Sequence, residues 1–134
     1  MRTIERAGIA AISSIMLIGT AAAADLTGPE IKTLLSGKST YLENTATSRG
    51  GVGQGVIYYA ADGASMYKTA KGDVFHGQWT IKGNTVCNVW KEAPPSPCSR
   101  YSKEGNTISL INADTGQVRA KIMKIVDGNP EKIS

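Results

Sequence analysis

Val74-Phe75-His76-Gly77-Gln78-Trp79-Thr80-Ile81, followed at once by Lys82-Gly83-Asn84, is the stretch that decides the fold. Phe75, Trp79 and Ile81 fall on one face, and His76, Gln78 and Thr80 fall on the other. Alternation of this kind belongs to a strand with one covered face and one wet face. Lys82-Gly83-Asn84 supplies the residues of a tight reversal. The same pattern extends in both directions. Asp62-Gly63, Lys71-Gly72, Gly105-Asn106 and Thr115-Gly116 are further turn signals, and they fall about ten residues apart. In Thr107–Ala113, Ile108 and Leu110 share a face. In Gln117–Ile125, alternation puts Val118, Ala120 and Ile122 on one side and Arg119 and Lys121 on the other.

The chain is therefore expected to be mainly β, an antiparallel meander of about seven or eight strands. Closure into a small calycin-like barrel removes the exposed edges that an open meander would leave. The one helix signal comes first. Thr27-Gly28-Pro29-Glu30 has the spacing of a capping box, Pro29 fits the first turn, and Leu26 and Ile31 stand at the positions of a hydrophobic staple. Ile31, Leu34 and Leu35 make an apolar face and Gly37 is a stop. So short a helix persists only by docking that face, against an end or a side of the barrel.

Residues 1–24 have the layout of a cleaved secretory signal peptide. Arg2 and Arg6 precede an apolar run from Ala7 to Leu17, and Ala21-Ala22-Ala23-Ala24 offers the small residues a peptidase needs. Residues 25–134 are then one domain, periplasmic or secreted, with no transmembrane segment in the mature chain. Cys87 and Cys98, an even pair in an oxidising compartment, favour a disulfide. Pro94-Pro95-Ser96-Pro97 cannot lie inside a central strand, so the pair would staple two adjacent strands across a stiff loop. Loss of Arg2, Glu5 and Arg6 lowers the net charge from +4 to +3. The cations are scattered, Lys68 and Lys71 forming one small group and Lys121 and Lys124 another. Nucleic acid is thus not the expected partner.

Catalytic and cofactor motifs are absent from the sequence. Gly50-Gly51-Val52-Gly53-Gln54-Gly55 is followed by a β segment rather than a helix, and no G-K-[ST] is present, so it reads as a loop or bulged strand at a barrel rim. His76 is the single histidine; no nucleophile elbow surrounds any serine, and the expectation is no metal and no cofactor. The carboxylates lie mostly beside turns, where they solvate or cap. Tyr58 and Tyr59 are adjacent, so one points inward and the other outward. Tyr59, Tyr67, Lys68, Lys71 and Trp90 are the candidate contact residues, because aromatic anchors dominate recognition energy and the lysines flank the same loops.

Tyr58-Tyr59-Ala60-Ala61-Asp62-Gly63, then Gly77-Gln78-Trp79, then Cys87 and Cys98 resemble a group of small exported proteobacterial domains of unknown function. These carry Y-x-x-D-G, G-x-W and two cysteines. The resemblance spans about Leu26 to Asp127 and implies a fold and an envelope location, with no activity attached. Tyr67-Lys68-Thr69-Ala70-Lys71-Gly72 is more distantly similar to an element of the exported barrel inhibitors of C-type lysozyme, with its threonine displaced and the companion S-G-x-x-Y missing. The expected role is a monomeric, non-enzymatic binding or envelope-interaction protein acting through loops such as Gly50–Gly55 and Asp62–Lys71. Its partner is an unidentified envelope protein or small ligand. The alternatives are an inhibitor of a lysozyme-like hydrolase and a carrier of a small apolar ligand, the latter needing a hollow barrel where a filled one is expected.

Overall fold

A computed structural model describes residues 23–134. The expected signal peptide lies outside the described residues apart from Ala23 and Ala24. In chain order the elements are β1 (Ala24–Asp25), α1 (Gly28–Leu35), β2 (Lys38–Asn44), β3 (Gly53–Tyr59), β4 (Ala64–Lys68), β5 (Val74–Lys82), β6 (Thr85–Trp90), β7 (Ser99–Glu104), β8 (Thr107–Asn112) and β9 (Val118–Asp127). Each of β2 to β9 pairs antiparallel with the next, and β9 returns to β2, so eight strands close into a barrel. The turns at Asp62-Gly63, Gly72, Gly83, Gly105 and Gly116 fall where the sequence places them, and the five glycines have positive φ.

The inner rows follow the alternation. Thr40 and Leu42 of β2, Ile57 and Tyr59 of β3, Tyr67 of β4, Trp79 of β5, Val86 and Trp90 of β6, Tyr101 of β7 and Leu110 of β8 are buried. Gln78, Thr80 and Val89 are exposed between them. The seam is the join of β6 and β7, which share only Thr85↔Arg100 and Val86↔Ser99. Farther along β7, β1 takes over as partner: Ala24 faces Lys103, Asp25 faces Ser102, and the Leu26 N–H donates to the Tyr101 carbonyl at 2.8 Å. The Arg100 guanidinium donates to both oxygens of Asp25 at 2.9 Å, fixing that short strand.

The helix closes one end. Its capping box forms as the sequence implies: the Glu30 N–H donates to Thr27 Oγ1 and the Thr27 N–H to Glu30 Oε1. Ile31 and Leu35 are fully buried in the barrel core, with Leu26 and Leu34 packed beside them. The helix start is locked onto the β5–β6 turn, where the Gly28 N–H donates to Asn84 Oδ1 at 2.8 Å. A Cβ at Gly28 would stand 2.3 Å from the Gly83 carbonyl oxygen, which is why the close approach needs glycine there.

β9 departs from simple alternation twice. Tyr41 faces Lys124 but Leu42 faces Ile122, leaving Met123 as an extra residue, and it is pushed out to solvent. Leu110 faces Ala120 but Ile111 faces Val118, leaving Arg119 without a partner on β8. Both are β-bulges, which re-aim side chains and sharpen the local twist.

Candidate functional site

The end of the barrel opposite α1 carries the connections 45–52, 69–73, 91–98 and 113–117. Under the first and third of these lies a cavity of about 50 Å³, bounded by Asn44, Arg49, Tyr67, Trp90, Ser99 and Arg119, with Tyr59 and Tyr101 deeper in. That is room for about three waters, far below the roughly 300–1,000 Å³ of a drug-sized ligand pocket. A larger open depression of about 280 Å³ lies beside α1, edged by Lys32, Asp62, Trp79 and Ile81. Its polar side chains, Lys32, Asp62 and Thr80, stand on an open surface, whereas Asn44, Arg49, Tyr67 and Arg119 meet in the smaller cavity under the loops, which is the better candidate on chemical grounds.

The cavity wall is built in layers. Tyr59 and Tyr101 are fully buried, and their hydroxyls meet at 3.2 Å. Burial raises the pKa of both phenols, Tyr101 the more strongly, so both remain protonated at neutral pH. Tyr59 stands edge-on to Trp79, with ring centroids 5.3 Å apart. Tyr67, Phe75 and Trp90 form a second aromatic group nearer the mouth. The Tyr67 hydroxyl accepts from Asn44 Nδ2 at 2.9 Å. Gly50 and Gly55 lie flat against the Tyr67 ring, where a Cβ would stand 2.0 Å from its hydroxyl oxygen and 2.8 Å from its Cε1 respectively. The glycine-rich stretch is thus a cradle for Tyr67, partly loop and partly β3.

Two arginines lie across the mouth. Arg119 Nη1 donates to the Pro97 carbonyl at 2.8 Å and to Ser99 Oγ at 3.0 Å. Arg49 Nη2 donates to the Pro95 carbonyl at 3.2 Å, and Arg49 Nε is buried with no hydrogen-bond partner. Neither guanidinium forms an ion pair among the described residues. Burial lowers the pKa of Arg119, and the positive charge of Arg49 lowers it further.

The loop 91–98 that covers the site is pinned along its length. The disulfide Cys87–Cys98 anchors its far end as expected. At its near end, Glu92 accepts from the His76 backbone N–H and pairs with His76 Nδ1, both at 2.6 Å. This pair is half-exposed on the outer wall. Hydrogen bonding to Glu92 raises the His76 pKa first of all, and the same contact lowers that of Glu92. The contact therefore stabilises the fold between the two values. It is lost as pH rises through the raised imidazole value and as pH falls through the lowered carboxylate value. Glu92→Gln is expected to bring the His76 titration midpoint down towards the ordinary 6.5, read from its imidazole proton resonances. An unchanged midpoint would show that the pair does not form in solution.

The structure sorts the candidate contact residues. Lys68 and Lys71 are exposed at the loop-covered end. Tyr59, Tyr67 and Trp90 are not surface anchors: all three are buried and line the cavity instead. Tyr59 lies in the inner row with Gly55 and Ile57, so Tyr58 is the outward member of the pair. The segment Asp62–Lys71 is not one loop. Residues 64–68 form β4, which carries Asp62 to the helix end and Lys71 to the opposite end. Arg119, expected outside, turns into the cavity mouth because the bulge at that position breaks the period of two. Sequence alternation therefore missed Arg119, and Arg49 sits in a loop that carries no motif. The one hint in β9 is Ile122 and Ile125 standing three apart, which marks the bulge at Met123 but not the one at Arg119.

No family model, curated protein or solved structure matches this chain, so the site is characterised by its geometry alone.

Proposed function

We propose that this is an exported periplasmic binding protein without catalytic activity, and that its recognition end is the loop-covered mouth between residues 45–52 and 91–98. The observation that carries this reading is the convergence of Arg49, Arg119, Asn44 and Tyr67 on a small cavity under loops held in fixed positions. A rigid covering loop reduces the ordering cost of binding. The leader-like residues 1–24, the disulfide and the motif resemblance to exported domains support the compartment. The only histidine is bound to Glu92 on the outer wall and away from the cavity, which supports binding rather than acid–base chemistry. A carrier of apolar ligands is disfavoured by a cavity of about 50 Å³. Inhibition of a hydrolase draws on the pinned, proline-rich loop as a rigid probe and is the second reading.

The test is a backbone ¹⁵N-resolved NMR titration of the oxidised protein against sugars, amino acids, nucleotides, organic acids and a purified C-type lysozyme. Saturable shifts grouped at residues 44–53 and 95–99 are the expected result. Shifts confined to the helix end, or none across the panel, would overturn the assignment.

A further inference from the structure

Donors outnumber acceptors at the cavity mouth. Arg49 and Arg119 bring two fixed positive charges to one small space, and no carboxylate among the described residues pairs with either. Each uses part of its fork on backbone carbonyls of the covering loop, Arg49 through Nη2 and Arg119 through Nη1. Arg49 Nε–H is buried without an acceptor, and the Tyr67 hydroxyl, which accepts from Asn44, has its own proton still to place. Buried donors without acceptors are costly, and like charges in a medium of lowered dielectric repel. Three hydrogen bonds, to Pro95, Pro97 and Ser99, orient the guanidiniums. An anion with two or more oxygens would accept from these open donors and also offset the two unpaired charges, a guanidinium fork contacting it in bidentate fashion.

We infer that the mouth is an oxyanion site, in which Arg49 and Arg119 clamp a carboxylate or phosphate group and the Tyr67 hydroxyl donates a further hydrogen bond. This deepens the binding reading above and rests on it. Size agrees with the chemistry, since about 50 Å³ accepts a single oxyanion group and excludes a whole sugar or nucleotide. The remainder of a larger ligand would lie outside, over the rim that carries Lys68 and Lys71.

The deciding experiment titrates the oxidised protein with sodium phosphate and, separately, sodium acetate, at constant ionic strength made up with sodium chloride. The readout is the side-chain Nε–H resonances of the arginines together with calorimetric affinity. Saturable binding is expected with a shift of the Arg49 Nε–H signal, and the stronger of the two salts identifies phosphate or carboxylate as the ligand group. Arg49→Gln and Arg119→Gln should each weaken that affinity at least tenfold, whereas Lys71→Gln, on the exposed rim, should change it less than twofold. Arg49 lies in a loop, so its variant reports even if Arg119→Gln fails to fold. Failure of both salts to saturate, or arginine variants that bind as tightly as the native chain, would overturn the inference. Loop shifts produced by an uncharged or protein ligand, with both anions inert, would remove the oxyanion assignment and leave the binding reading standing. No response at this end to any ligand would remove both.

Discussion

Tyr59→Ala should cost about 4 kcal/mol of folding stability, the middle of the range for deleting a large buried aromatic side chain. Three separate losses add up to this. The ring is completely buried in the inner row of β3 and packs edge-on against Trp79, so truncation opens a hole between β3 and β5 that neighbouring strands, tied by ladder hydrogen bonds, cannot close. The edge-to-face contact goes with it, at about 1 kcal/mol. The Tyr101 hydroxyl, fully buried, loses its partner at 3.2 Å and is left with an unmet donor or acceptor. For a domain of this size the change corresponds to a fall in Tm of roughly 15–25 °C. Thermal unfolding followed by circular dichroism checks it, and a drop of under about 5 °C would show that the barrel repacks far more freely than a closed sheet should. A companion cycle isolates the hydrogen bond. Tyr59→Phe and Tyr101→Phe should each cost about 1–2 kcal/mol, while the double variant should cost less than their sum, because it leaves no orphaned hydroxyl.

Removal of the disulfide should have the next largest effect. Cys87 and Cys98 are 11 residues apart, and loop-closure entropy for that spacing is about 3 kcal/mol. Its place in the fold gives the loss a local character as well. β6 and β7 share only two paired positions, Thr85↔Arg100 and Val86↔Ser99, so this is the weakest join of the barrel. The covalent link continues that register by one more pair and fixes the end of the loop 91–98 over the cavity. Cys87→Ala/Cys98→Ala, compared with the native protein in urea unfolding, should show a lower midpoint. Amide exchange should accelerate first at Val86 and Arg100, before the β2–β3 and β2–β9 ladders. Uniform acceleration across all strands would mean that the seam is held chiefly by β1 and the Asp25–Arg100 ion pair.

The seam and the site are connected through the same loop. Its near end hangs on Glu92 and His76, its far end on the disulfide, and the arginines attach between them. A loosened loop would lose the carbonyls that orient both guanidiniums. Reduction of the disulfide is thus expected to impair the cavity before it unfolds the barrel. That order of events follows from the short β6–β7 ladder, and not from any special reactivity of the cysteines.

Much of the architecture was legible in residue order because it depends on local periodicity. Phe75, Trp79 and Ile81 had to face inward together once the segment was extended, and Gly63, Gly72, Gly83, Gly105 and Gly116 mark reversals since they adopt positive φ with no steric cost. Thr27 and Glu30 announced the helix, as capping is a contact between near neighbours in the chain. The disulfide followed from two cysteines flanking a proline loop. The tertiary structure alone decided which end of the barrel holds the polar cavity. The turn of Arg119 into the mouth comes with the bulge in the β8–β9 ladder, where Leu110 faces Ala120 and Ile111 faces Val118, so it depends on pairing with another strand and not only on the residues beside it. Arg49 is directed by the Pro95 carbonyl, 46 positions away along the chain. Tyr67 fits only because two glycines in another segment leave it room. Short-range patterning specified the strands, turns and helix cap; long-range closure specified where charge and buried donors meet, because only the assembled barrel brings those distant residues within hydrogen-bonding reach.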